Sequence, residues 1–114
     1  MVTVKFNDAD EFLEELGKNL GKVEQNIVRL TFSFTPSKLT PNIRHLQVLA
    51  TAQVGRDILR LEHYCGQVWE IGTQDTPVQE EAGRVHKQLE EGCERLGLEV
   101  RAGVLEEDKE GGRT

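Results

Sequence analysis

Four side chains in this sequence carry metal-ligating or nucleophilic chemistry: His63, Cys65, His86 and Cys93. His63 and Cys65 stand two apart in a run that alternates apolar and polar residues, so a strand there turns both to one face. His86 and Cys93 lie on a stretch of helical periodicity that is expected to cover that face. A closed structural zinc site needs four such ligands, and a cysteine with a histidine base can be an activated nucleophile. Neither is expected here. Cys93 already fits the apolar stripe of the helix, and His86 is one position off it. A free cysteine usually behaves as a small buried hydrophobe. Side chains at i and i+2 of a strand are parallel neighbours roughly 6–7 Å apart at the backbone, and no third group is evident to orient His63. These four are read as packing residues, with no metal, no cofactor and no catalytic role. A small Cys/His enzyme or metal protein is the least favoured alternative.

Arginine offers a different chemistry. Arg29, Arg60 and Arg101 each take the polar parity of an alternating run. If their strands are neighbours they form a basic stripe, bordered by Thr31, Ser33, Gln47 and Thr51, that suits a small anionic ligand or the acidic helices of another molecule. The competing outcome is a solvated face whose arginines pair with Glu62 and Glu99 across strands. Leu49, Ile58, Tyr64 and Leu105 share the outer parity. Four large apolar groups are more than a solvated sheet needs, and a patch of that kind marks a partner surface. The ligand-face or partner-face candidates are therefore Arg29, Leu49, Ile58, Arg60, Tyr64 and Arg101. No phosphate-binding loop, dinucleotide fingerprint, HExxH or GxSxG motif is present. The pairs Glu14-Glu15, Glu80-Glu81 and Glu90-Glu91 read as solvated helix charges, because a catalytic pair must converge in a cleft.

The elements that must position these residues are legible by period. Residues 43–65 form two alternating runs around Gly55-Arg56, a long hairpin with a tight turn that wants glycine at its first central position. The first run turns Leu46, Val48, Ala50, Ala52 and Val54 inward, and the second turns Leu59, Leu61, His63 and Cys65 inward. Val2 to Phe6 alternates as a short strand. Asn7 or Asp8 caps a helix that buries Phe12, Leu13, Leu16 and Leu20 and stops near Gly21. Ile27 to Thr35 is a strand with Val28, Leu30, Phe32 and Phe34 inward, followed by a loop between Pro36 and Pro41. Gly66 ends the hairpin. Gln67 to Ile71 is either a further short strand or a loop that tucks Trp69 over the core. Thr76 caps a second helix from Pro77 to Leu96, with the stripe Val78, Ala82, Val85, Leu89, Cys93 and Leu96. Gly83 and Gly92 in it would mark close approach to the strands. Leu98 to Leu105 alternates as the last strand.

Bulk composition bounds the rest. At 114 residues the chain suits one domain: residues 1–105 as a single α+β domain, with 106–114 as a disordered acidic tail. The net charge of −6 argues against a nucleic-acid partner. Residues 1–24 carry three Lys against six Asp or Glu, and 76–114 carry six basic against ten acidic residues. The helices are thus acidic while the intervening sheet is about neutral. Two separated cysteines and no secretory signal point to reduced thiols in the cytoplasm, and no apolar run approaches the ~20 residues that span a bilayer. The order β-α-β-β-β-α-β predicts an α+β fold: an antiparallel sheet of about four to five strands with two helices on one face. The leading functional expectation is a small non-enzymatic interaction or assembly module, self-associating as a homodimer with room for another protein partner. The alternative is a binding protein for a small anionic ligand on the arginine-bearing face.

Overall fold

The structure is a computed structural model, and it describes residues 2–69 and 76–103. In chain order the elements are β1 (Thr3–Phe6), α1 (Ala9–Lys18), two single 3-10 turns (Leu20–Lys22 and Glu24–Asn26), β2 (Ile27–Pro36), β3 (Ile43–Val54), β4 (Asp57–Trp69), α2 (Thr76–Arg95) and β5 (Glu99–Ala102). The five strands form one sheet in the order β1-β4-β3-β2-β5. The fold is α+β, but the sheet is mixed. The central β2-β3-β4 meander is antiparallel, whereas β1 runs parallel to β4 and β5 runs parallel to β2. The expectation of a purely antiparallel sheet is therefore corrected at both edges. The cause is the helices. Each carries the chain back along the sheet before the next strand begins, as a crossover between parallel strands requires. β1-α1-β2 and β4-α2-β5 are two such crossovers, each with two strands between its own pair.

The inward parity of the sheet and the apolar stripes of both helices meet in one cluster. It contains Phe12 and Leu16 of α1, Ala82, Val85, Leu89 and Cys93 of α2, and Val28, Leu30, Val48, Ala50, Ala52, Leu59 and Leu61 of the strands. Phe12, Leu16, Leu61 and Leu89 are fully buried, so cutting any of these leucines to alanine would cost about 2–5 kcal/mol. Asp8 caps α1 by accepting a hydrogen bond from the Asp10 amide at 2.9 Å. The helix ends at Lys18, ahead of Gly21, because Asn19 turns the chain: its amide donates to the Leu16 carbonyl and its side chain to that of Glu15. The side chain of Thr76, assigned to the α2 cap, lies outside the described residues, as do Leu105 and the 106–114 tail.

The β3-β4 hairpin closes through two residues, with Gly55 at φ 59°. Its far end departs from strict alternation. The register steps from Gln47↔Tyr64 to Leu46↔Gly66, which leaves Cys65 as the extra residue of a bulge. Beyond the bulge the parity reverses, so Gly66 does not end the strand and β4 continues to Trp69. Gly66 sits at φ 140°, and a Cβ there would lie 2.8 Å from a methyl of Val78. It is the point where the start of α2 rests on the sheet. Gly92 serves the other helix rather than the strands: a Cβ there would lie 2.6 Å from Leu13 of α1.

Candidate functional site

The helices cover one face of the sheet, and the other holds the arginines. The register aligns Lys5 with Arg60, Arg60 with Thr51, Thr51 with Arg29, and Arg29 with Arg101. Four cationic side chains and one threonine thus form a single row across all five strands. At a strand spacing of about 4.8 Å, Arg29 and Arg60 start roughly 10 Å apart with Thr51 between them, close enough for two long side chains to converge. The sequence places the three arginines on the outer parity. It does not reveal Lys5, because nothing in VTVKF indicates that β1 docks beside β4.

The carboxylates of this face do not pair as expected. Arg60 Nε donates to Glu62 Oε2 at 2.6 Å, and Lys5 Nζ lies 4.0 Å from the same oxygen. Arg101 donates to both oxygens of Glu99, at 2.9 and 3.4 Å. Those hydrogen bonds hold the Glu99 carboxyl below its usual range. Both arginines therefore pair with a carboxylate of their own strand, at i and i+2. Arg29 is exposed and has no ion pair among the described residues.

Around Arg29, Thr51 and Arg60 the face is concave. A cavity of about 420 Å³ is lined by these three with Thr3, Gln53, Ile27, Ile58, Glu24 and Gln25. Its wall at Glu24–Asn26 is a turn in which both Gln25 and Asn26 adopt left-handed backbone, at φ 57° and 58°. That segment is fastened to the hairpin tip by a bridge between Val23 and Val54 and by the Gly55 amide, which donates to the Lys22 carbonyl at 2.9 Å. No local pattern in the sequence ties these turn residues to an outer strand face.

The apolar candidates of this face are dispersed. Leu49, between Thr31 and Glu62 in the register, is only 4% exposed. Ile58 is half-buried in the cavity wall. Tyr64 and Trp69 lie beyond them, each 51% exposed. Because of the bulge, Trp69 pairs with Ile43 on the outer parity and does not cover the core. The Tyr64 hydroxyl and His45 Nδ1 are hydrogen-bonded at 2.9 Å.

The Cys and His residues do not converge. His63 Nε2 lies 2.8 Å from Glu81 Oε2, and Arg84 donates to both oxygens of that carboxylate at 3.0 and 2.8 Å. Arg84, then His63, hold the Glu81 carboxyl down at about 2. Cys65 lies near this clamp, and burial and then the charge of Glu81 push its thiol up, away from the reactive thiolate. Cys93 is fully buried, which pushes its thiol up to about 11. His86 stacks on Phe32, with ring centroids 5.2 Å apart, and faces Glu90 at 3.4 Å. It lines a wider hollow of about 790 Å³ along α2 with Glu91, Glu94, Leu98 and Val100. Among the described residues no group of three or more His, Cys, Asp or Glu is placed to hold a metal ion. Nor is any helix among them long and apolar enough to cross a membrane. Glu81 corrects one detail of the sequence reading, since it fastens α2 to β4 and is not a merely solvated charge.

In comparisons with protein-family models, with curated proteins and with solved structures, the chain finds no match.

Proposed function

We propose that this protein is a non-enzymatic binding module for a small anionic ligand, held on the open sheet face by Arg29, Thr51 and Arg60. The observation that carries the reading is the alignment of Lys5, Arg60, Thr51, Arg29 and Arg101 in one row over a cavity of about 420 Å³. Arginine presents paired donors that match a carboxylate or phosphate, and the threonine hydroxyl between the two arginines adds a further donor. Ile27 and Ile58 supply apolar wall for the body of a ligand, and the volume is that of a small-molecule site. Thermal unfolding in the presence of phosphate, succinate or butyrate tests the reading. At least one of these anions should raise the midpoint by mass action, and Arg29→Gln should abolish the rise. No rise with any of the three overturns it.

Self-association is the second reading, favoured by a different observation: Tyr64 and Trp69 are both half exposed at the far end of the same face. Aromatic side chains are enriched in protein interfaces, and a two-fold dimer would bring each pair onto its copy. Light scattering at micromolar concentration should give a dimer mass for the wild type and a monomer for Tyr64→Glu. A monomeric wild type removes this reading and leaves the ligand site untouched.

A further inference from the structure

The charges inside the cavity restrict the ligand more than the basic row does. Three charged side chains line it: Arg29, Arg60 and Glu24. Arg60 is engaged by Glu62 at 2.6 Å. Arg29 and Glu24 are both exposed and have no ion pair among the described residues. In the chain they flank Ile27, Glu24 on the turn that lines the cavity and Arg29 in the cationic row on β2 that also lines it. A ligand of anionic groups alone would satisfy Arg29 and be repelled by Glu24. We infer that the ligand is a small zwitterion, and this rests on the anion-site reading above. Its anionic group meets Arg29, with Thr51 and Arg60 beside it, and its cationic group meets Glu24. The side-chain amides of Gln25 and Gln53 line the same cavity and can donate or accept, one donor of Gln53 being held by the Gly55 carbonyl at 3.0 Å. The two poles of the site come from different segments, one on β2 and one on the turn before it. The ligand's charges are therefore separated by a short linear spacer that lies against Ile27 and Ile58. A compact anion such as phosphate fills only the Arg29 end, and a nucleoside polyphosphate would bring further negative charge against Glu24.

Two series of matched length separate the possibilities: butyrate, γ-aminobutyrate and succinate, and caproate, ε-aminocaproate and adipate. Titration calorimetry is run on the wild type, Glu24→Gln and Arg29→Gln. Glu24 is an exposed turn residue, so its isosteric change leaves the fold intact, and the unliganded melting midpoint checks this. In at least one series the amino acid should bind about tenfold more tightly than both the monocarboxylate and the dicarboxylate of equal length, the worth of one charge-assisted hydrogen bond. Glu24→Gln should remove that preference and keep the binding of the monocarboxylate. Arg29→Gln should weaken every compound. If the dicarboxylates match or exceed the amino acids, or if Glu24→Gln leaves the preference in place, the zwitterion inference is overturned while the anion site stands. If none of the six binds the wild type, the zwitterion inference is overturned, and if phosphate also fails to bind, the anion site itself is overturned.

Discussion

Two regions of this molecule use glutamate-arginine contacts to opposite ends. At the junction of β4 and α2, Glu81 takes two hydrogen bonds from Arg84 of its own helix and one contact from His63 of the sheet. Its carboxylate is shared between elements and is held down at about 2. On the open face, Glu62 and Glu99 bind arginines of their own strands. Both arginine contacts stay within one strand, only the longer 4.0 Å approach of Lys5 to Glu62 reaches a second element, and Arg29 between them has no ion pair among the described residues. Charge at a junction of elements works on the fold, whereas charge along one strand leaves cationic capacity on the surface. The composition is alike in the two places, and what differs is whether the partners belong to separate parts of the chain.

The largest effect should come from opening the junction itself. Gly66→Ala places a methyl 2.8 Å from Val78 at a backbone φ of 140°, and this should destabilise the fold by about 2–4 kcal/mol in denaturant unfolding. An unchanged midpoint would mean that α2 does not rest on the bulge. Next is the clamp. Glu81 is harder to protonate in the folded chain than in the unfolded one. Its stabilisation is present above the ordinary carboxylate value of 4.5 and is lost as pH falls from there toward about 2. Glu81→Gln should lower stability at neutral pH by about 1 kcal/mol or less, because the pair is part-exposed, and should flatten the acid limb of the stability-pH curve. An acid limb as steep as the wild type's would show that other carboxylates control it.

On the open face the expected changes are in binding and not in folding. Arg29→Gln should shift stability by no more than about 0.5 kcal/mol while the anion-induced rise in melting midpoint disappears. A large loss of stability there would make the row structural and erase the contrast with Glu81. The smallest effect belongs to Glu62→Gln, which weakens the hold on Arg60 and Lys5. Butyrate affinity should then rise a few-fold, by about 0.5–1 kcal/mol, as read by calorimetry. A fall would mean that Glu62 positions Arg60 for the ligand and does not compete with it.

Much of this architecture is legible in the chain alone. The 3.6-residue stripe of α2 from Val78 to Leu96, the Asp8 cap of α1 and the two-residue turn at Gly55 are local devices, set by periodicity and backbone chemistry. So is the parity that puts Arg29, Arg60 and Arg101 on one face. Parity fails where it meets a bulge. No local signal marks Cys65 as an extra residue, and past it Trp69 changes face. The role of Gly66 becomes visible only when Val78, twelve residues later, is seen against it.

Strand order and the ion pairs between elements are decisions of the tertiary structure. Alternation in VTVKF and LEVRAGVL specifies an inner and an outer face but not a neighbour. Only the helical crossovers make both edge strands parallel and bring Lys5 into a row with Arg60, and Arg101 into a row with Arg29. The cavity likewise unites Glu24 and Gln25 of a turn with Thr51 and Gln53 of β3 and Arg60 of β4, residues that no sequence period relates. Period fixes the direction in which each side chain points, because it is a property of one backbone segment. Which charges then face one another depends on how separate segments pack, because that packing minimises exposed apolar area over the whole chain at once.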